Sequence, residues 1–193
     1  RLEALADGRY RLVNQTRGTR GMAALAGVDV TEESEFRWRD GGPETLGYRY
    51  RQQASLGRGR ERAVEVDAAA GRVTSIDRDR RHSFELKPGT LDRQLVSLAI
   101  GADLAAGRRG ELAYRVIDRD DDGEQRFRVV GPERIDLPTG STEAIRVERI
   151  REDASRQTQL WLDPARNWLT VRSLQQERNG DRLELRLVAL RKE

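Results

Sequence analysis

The chain has 193 residues, with 36 basic and 33 acidic side chains, a net charge of +3 and no cysteine. The missing cysteine excludes disulfides, thiol catalysis and thiolate metal sites. The two charge signs are interleaved, which leaves no clustered positive face for nucleic acid, and no apolar run approaches the ~18 residues of a membrane-spanning helix.

Only Lys87 and Lys192 are lysines, so the basic character is arginine near charge balance. The opening, "RLEALADGRYRLV", carries neither a methionine nor a signal peptide and reads as the start of a processed or trimmed chain. The following "TRGTRGMAALAGVDVT" is glycine-rich and reads as a loop, with room for a short helical turn over Met22–Ala26. Neither "TRGTRG" nor the later "GRGR" has the spacing of a phosphate-cradling loop.

From Val28 onward an alternation of period two takes over. Val28, Val30, Phe36 and Trp38 share one parity, with Arg37 and Arg39 on the other. In a strand these parities face opposite sides, so one face is buried and one is wet, the pattern of antiparallel sheets. Glu32 and Ser34 fall on the apolar parity. A regular strand therefore turns Glu32 inward, which a bulge, a partly wet inner face or a functional buried carboxylate would each explain. Asp40-Gly41-Gly42-Pro43 marks a turn, after which Leu46, Tyr48 and Tyr50 alternate with Gly47, Arg49 and Arg51. The one dense basic run, Arg58 to Arg62, reads as a loop or an exposed strand end.

His82, in "RDRRHSFEL", is the only histidine, so a metal site with two or three histidines is excluded within one chain. Ser83 beside it points to the opposite face of a strand, and no G-x-S-x-G elbow occurs. A surface or half-buried histidine is expected.

One segment breaks the alternation. In "TLDRQLVSLAIGADLAAG" the residues Leu91, Leu95, Leu98, Ala99 and Ala102 form a single helical stripe. The spacing predicts a helix near 90–106, capped by Thr90, with Asp92 in its first turn, Gly107 as its stop and a weak point at Gly101.

"DRDDDGE", residues 118–124, has acidic residues at the first, third and fifth positions and glycine at the sixth, like a calcium loop. The closing glutamate of such a loop falls at its twelfth position, and Val129 stands there instead. The flanks "LAYRVI" and "QRFRVV" read as strands, so the stretch is expected to be a hairpin tip. Further turns are marked by Gly131-Pro132, Leu137-Pro138-Thr139-Gly140 and Asp163-Pro164. Asn179-Gly180 signals a two-residue hairpin before the alternating Leu183, Leu185 and Leu187. In all, about eleven strands are expected.

The last third, from "TEAIRVERIRED" to "LELRLVAL", resembles the end of a bacterial exported family, domain of unknown function 3108. The matching features are Trp161-Leu162, the Asp163-Pro164 turn, Leu169-Thr170-Val171-Arg172 and the Asn179-Gly180 turn. Thr170 stands where the family often has proline. "RRHSFELKPGTLDRQLVSLAI" and "TRGTRGMAALAGVDVTEESEFRW" are similar to its middle and early strands. The resemblance covers nearly the whole chain. It implies a β-rich periplasmic protein of Gram-negative bacteria, with a signal peptide and one more hairpin upstream. It brings no activity and no catalytic residues.

The resulting expectation is one all-β, mainly antiparallel domain over 1–193, a strongly curved sheet or incomplete β-barrel with one main helix packed on it or at one end. A concave face lined by Trp38, Tyr48, Tyr50 and Trp161 would bind an apolar or amphipathic ligand, a lipid or a lipoprotein acyl chain, without catalysis, cofactor or metal. The alternative is an envelope-assembly module that meets a protein partner through an edge strand. A third reading, a glycan-acting enzyme, requires Glu32 and a second convergent carboxylate.

Overall fold

The computed structural model describes residues 1–17, 27–54, 59–152 and 156–191. The helical turn considered over 22–26 and the first residue of the basic run lie outside them. The chain is mainly antiparallel β with one main helix. The strands are β1 (Leu2–Ala4), β2 (Arg9–Arg17), β3 (Asp29–Arg39), β4 (Gly42–Gln53), β5 (Arg60–Asp67), β6 (Arg72–Asp77), β7 (Arg80–Glu85), β8 (Leu91–Asp92), β9 (Glu111–Ile117), β10 (Glu124–Leu137), β11 (Gly140–Ile150), β12 (Arg156–Asp163), β13 (Leu169–Glu177) and β14 (Arg182–Arg186). That exceeds the expected number, because β1 and β8 are too short to show alternation.

The chain divides into two compact units, Arg1–Val96 with Arg115–Gly123, and Ser97–Tyr114 with Glu124–Glu193. The first holds a seven-stranded sheet in simple sequential order, β1 to β7. Short turns impose that order. At Asp40-Gly41 both residues have positive φ, 48° and 84°, the two-residue hairpin that matches strand twist. β8 pairs in parallel with the end of β9, Leu91 opposite Val116 and Asp92 opposite Ile117. The core of this unit gathers Tyr48, Val64, Val73 and Ile117, with Tyr50, Val66, Phe84 and Leu86 half-buried against them.

In the second unit β10 to β14 form an antiparallel meander. Its core joins Ile135, Leu137, Ala144, Trp161 and Val171. The "DRDDDGE" stretch is a hairpin tip, as its flanks imply: Asp118 and Asp121 form a bridge, with each backbone N–H donating to the other's carbonyl. The Asn179-Gly180 turn is wider than expected. Gly180 alone takes a positive φ, 90°. Its N–H donates to Glu177 O, while the Asn179 side chain holds Asp181. The amide of Asn179 competes for the backbone and draws the turn out beyond two residues.

The helix α1 runs from Val96 to Ala105, shorter than the predicted 90–106. Thr90 does not cap it. The Thr90 hydroxyl donates to Lys87 O, and Leu91–Asp92 are strand. Gly101 does not break it either. A Cβ at Gly101 would stand 3.0 Å from Trp168 O, so the missing side chain admits a neighbouring backbone. Among the described residues no helix is long and apolar enough to cross a membrane.

Candidate functional site

The inner face of the first sheet is ordered in rows across its strands. One row is apolar at its flank: Val66 stands opposite Val73, and Val73 opposite Phe84. The next row is mixed, with Ser34 opposite Tyr48, Tyr48 opposite Val64 and Val64 opposite Ser75. The third is polar and aromatic, with Glu32 opposite Tyr50, Tyr50 opposite Arg62 and Arg62 opposite Asp77. Arg62 and Val66 are four residues apart on β5, roughly 13 Å at about 3.3 Å per residue. One face thus passes from oily to charged over that distance.

A buried carboxylate organises the middle of the unit. Asp92 is fully buried, and its Oδ1 accepts the backbone N–H groups of Gln94 and Leu95 at 2.9 and 3.2 Å. The Ser34 hydroxyl stands 2.9 Å from the same oxygen, and Thr45 Oγ1 donates to Oδ2 at 3.1 Å. Asp92 N donates back to Thr45 Oγ1 at 2.7 Å. Burial pushes the Asp92 carboxyl up to about 6, against the hydrogen bonds from Ser34, Gln94, Thr45 and Leu95 that pull it down. Thr45 reaches this position through a bulge. Glu35 pairs with Gly47 but Phe36 with Thr45, so Leu46 is the extra residue and the inward parity of β4 changes there.

The polar row is built around Tyr50. The Arg62 guanidinium lies 5.2 Å and that of Arg93 6.0 Å from the Tyr50 ring centroid, within cation–π range. Arg93 Nε lies 3.4 Å from Glu32 Oε1, which also accepts the Tyr48 hydroxyl at 2.6 Å. Burial and the Glu32 carboxylate beside it hold the Tyr48 phenol well above its ordinary range. Asp77 is engaged by Arg60, Nε to Oδ1 at 3.2 Å and Nη2 to Oδ2 at 2.5 Å, and that bonding keeps its carboxyl below the usual value. Arg62 is left 3.5 Å from Asp77 Oδ2, with its side chain 8% exposed. Burial, together with Arg60, Arg119 and Arg93 nearby, pulls the Arg62 guanidinium down from its ordinary pKa.

Of the four aromatic side chains picked out as a lining, Tyr48 and Tyr50 stand side by side on this face, the first buried and the second half-buried. Trp38 has the inward parity but is not buried. It is 45% exposed, because β3 runs past its last buried position, Phe36, and Trp38 pairs with Pro43 at the hairpin end. Trp161 belongs to the second unit, buried in that unit's own core with the Arg172 guanidinium 4.2 Å from its ring centroid. Glu32 does turn inward without a bulge on its own strand, onto a face that is itself polar in that row. His82 is half-buried opposite Ser75, while Ser83 on the other face bonds Thr74.

Arg62 and Asp92 were missed as participants. The basic run suggested an exposed strand end, but Arg62 has the inward parity of Val64 and Val66, a signal the alternation carried. Asp92 is followed two and three residues later by the amides it caps, the spacing of a turn cap. Among the described residues, no group of three or more histidine, aspartate or glutamate side chains converges to hold a metal ion.

No curated protein matches the chain. Among solved structures it is similar to a beta-barrel-like protein of domain of unknown function DUF1849 from Brucella abortus, at 11% identity over 93% of this chain and 80% of that one, with a TM-score of 0.49. The profile of the family described as "Protein of unknown function (DUF3108)" matches residues 3–188. With nearly its whole length inside that match, the chain belongs to the DUF3108 family.

Proposed function

We propose that this is a non-catalytic periplasmic binding protein of the Gram-negative envelope, and that its first unit takes an amphipathic ligand, a lipid or a lipoprotein acyl chain. The supporting observation is the polarity of one sheet face. Half-buried Val66 and Phe84 lie at its oily end and the Tyr50 row at its charged end. A ligand with a chain and a polar head matches such a face, because each end can be desolvated against its own kind. Glu32 is engaged by Tyr48 and Arg93, and Asp92 by four donors. Those bonds favour structural over catalytic carboxylates. Native mass spectrometry of the protein purified from the envelope tests the reading. A lipid-sized adduct that is lost on Phe84→Arg is the expected result, and adduct-free protein from several gentle preparations refutes it.

A second reading, an envelope-assembly module joined through an edge strand, is favoured by β14. That strand ends its sheet, with Leu183 and Leu185 exposed by 52% and 47%. In-cell crosslinking from position 183 would trap a defined protein partner only under this reading.

A further inference from the structure

We propose that the Tyr50 row is an anion-recognition site in which Arg62 and Arg93 hold the phosphate or carboxylate head of the ligand. The inference rests on the amphipathic-ligand reading for its occupant, and on the charge inventory of the row for its chemistry.

Two guanidinium groups share one aromatic ring, at 5.2 and 6.0 Å from its centroid. Their acids are not equally placed. Asp77 gives both its oxygens to Arg60, so Arg62 has only the longer 3.5 Å approach to it. The Arg62 Nε is buried and has no hydrogen-bond partner. A buried donor without an acceptor costs roughly 1–3 kcal/mol, more when it is charged, so the site gains when an anion supplies the missing acceptor. Arg60, Arg93 and Arg119 all add positive potential at Arg62. Glu32, Asp77 and Asp118 oppose this positive charge.

Access comes from Arg93 and Arg60, whose side chains are 36% and 32% exposed, while Arg62 forms the floor at 8%. Guanidinium is suited to this task. It is permanently charged, planar, and presents paired N–H donors that match carboxylate and phosphate oxygens. Cation–π contact with Tyr50 positions the two groups without consuming their donors. Tyr50 in turn is steadied by its hydroxyl, which donates to Gln52 Oε1 at 2.8 Å.

The test titrates the intact protein, by calorimetry at low and moderate salt, with dodecyl phosphate, its uncharged counterpart dodecanol, and inorganic phosphate. Arg62→Gln and Arg93→Gln are compared with the outward Arg81→Gln, and circular dichroism confirms that each is folded. Arg93→Gln carries the test alone if Arg62→Gln is unfolded. Dodecyl phosphate is expected to bind, to weaken with salt, and to lose about tenfold in either inward variant, the loss of one charge-assisted hydrogen bond. Arg81→Gln is expected to bind like the parent. Inorganic phosphate binding as tightly as dodecyl phosphate, with the same arginine dependence, supports the anion site but shows that the alkyl chain adds nothing, and so overturns the amphipathic reading alone. Equal binding of dodecanol and dodecyl phosphate, unchanged in the variants, overturns the anion site and leaves the amphipathic reading standing. Binding of none of the three overturns both.

Discussion

Ser34 and Asp92 lie 58 residues apart in the chain, and the Ser34 hydroxyl stands 2.9 Å from Asp92 Oδ1. With Thr45 on the other carboxylate oxygen, this contact ties β3 and β4 to the turn that leads into α1. Truncating Asp92 to alanine would leave the amides of Gln94 and Leu95 and the Thr45 hydroxyl without their acceptor, while the Ser34 hydroxyl would keep Gln94 Oε1 at 2.7 Å. The expected cost is about 2–4 kcal/mol, combining a lost cap with unsatisfied buried donors. Thr45→Val, which removes one hydroxyl at constant shape, is expected to cost about 1–2 kcal/mol. Urea unfolding of both variants checks this, and a loss below about 1 kcal/mol for Asp92→Ala would contradict an organising role for the carboxylate.

The same residue makes a prediction about pH. Burial raises the folded-state pKa of Asp92 from 3.8 to about 6. Between those values the folded protein keeps a proton that the unfolded chain has released. Stability from this group is therefore full below pH ~4, falls as pH rises to ~6 and is flat above, a change on the order of 2–3 kcal/mol. Asp77 has the opposite sign: its depressed pKa contributes stability that is lost as pH falls through the carboxylate range. The difference between parent and Asp92→Asn isolates the one group. That difference is expected to move against the parent from pH 4 to pH 7, and a flat difference would show that Asp92 titrates normally.

What the sequence disclosed, and what it withheld, follows from which physical rules are local. Alternation located β3, β4 and β9, because burial of one sheet face leaves a period of two wherever the strand is regular; in β14 it marked the strand but not the buried face, since Leu183 and Leu185 are exposed and Glu184 between them is half-buried. It failed at Leu46, where one extra residue changes the inward parity and brings Thr45 to Asp92; a bulge obeys the partner strand and leaves no mark on its own. Strand ends were equally opaque. Trp38 has the inward parity yet stands in water, since parity says which face a residue takes and not where the core stops. The helix was recognised by its stripe, but the turn before it is set by Asp92, whose place is fixed by the distant Ser34 and Thr45. The Tyr50 row was half legible: Tyr48, Tyr50 and Glu32 were picked out, whereas Arg62 was hidden because a charged residue is read as wet by default.

Gly101 illustrates a glycine retained for close approach. A Cβ there would meet Trp168 O at 3.0 Å and Trp168 Cβ at 3.4 Å. Asn167 and Trp168 both hold positive φ, 53° and 60°, a conformation that leaves this backbone little freedom to withdraw. Alanine normally gains about 1 kcal/mol over glycine inside a helix. Here the clash is expected to reverse the sign, giving a net loss of about 1–2 kcal/mol for Gly101→Ala. Thermal unfolding decides the matter: a higher melting temperature for the variant would mean that the turn at Asn167-Trp168 can move aside.

Trp38 and Tyr48 give a contrast that the alternation alone could not. Tyr48 is 4% exposed and packs with Val64, Val73 and Ile117, whereas Trp38 is 45% exposed at the end of its strand. Tyr48→Ala is expected to cost about 3–5 kcal/mol, the range for emptying an aromatic site in a core. Tyr48→Phe keeps the packing but leaves Glu32 with Arg93 as its remaining partner, for a loss of about 1–2 kcal/mol. Trp38→Ala is expected to change stability by less than about 0.5 kcal/mol. All three can be read from the midpoints of one series of urea transitions. If Trp38→Ala proved as costly as Tyr48→Ala, the core would extend beyond Phe36 along β3, and Trp38 would belong to the apolar end of the inner face, on the side away from the Glu32–Tyr50 row.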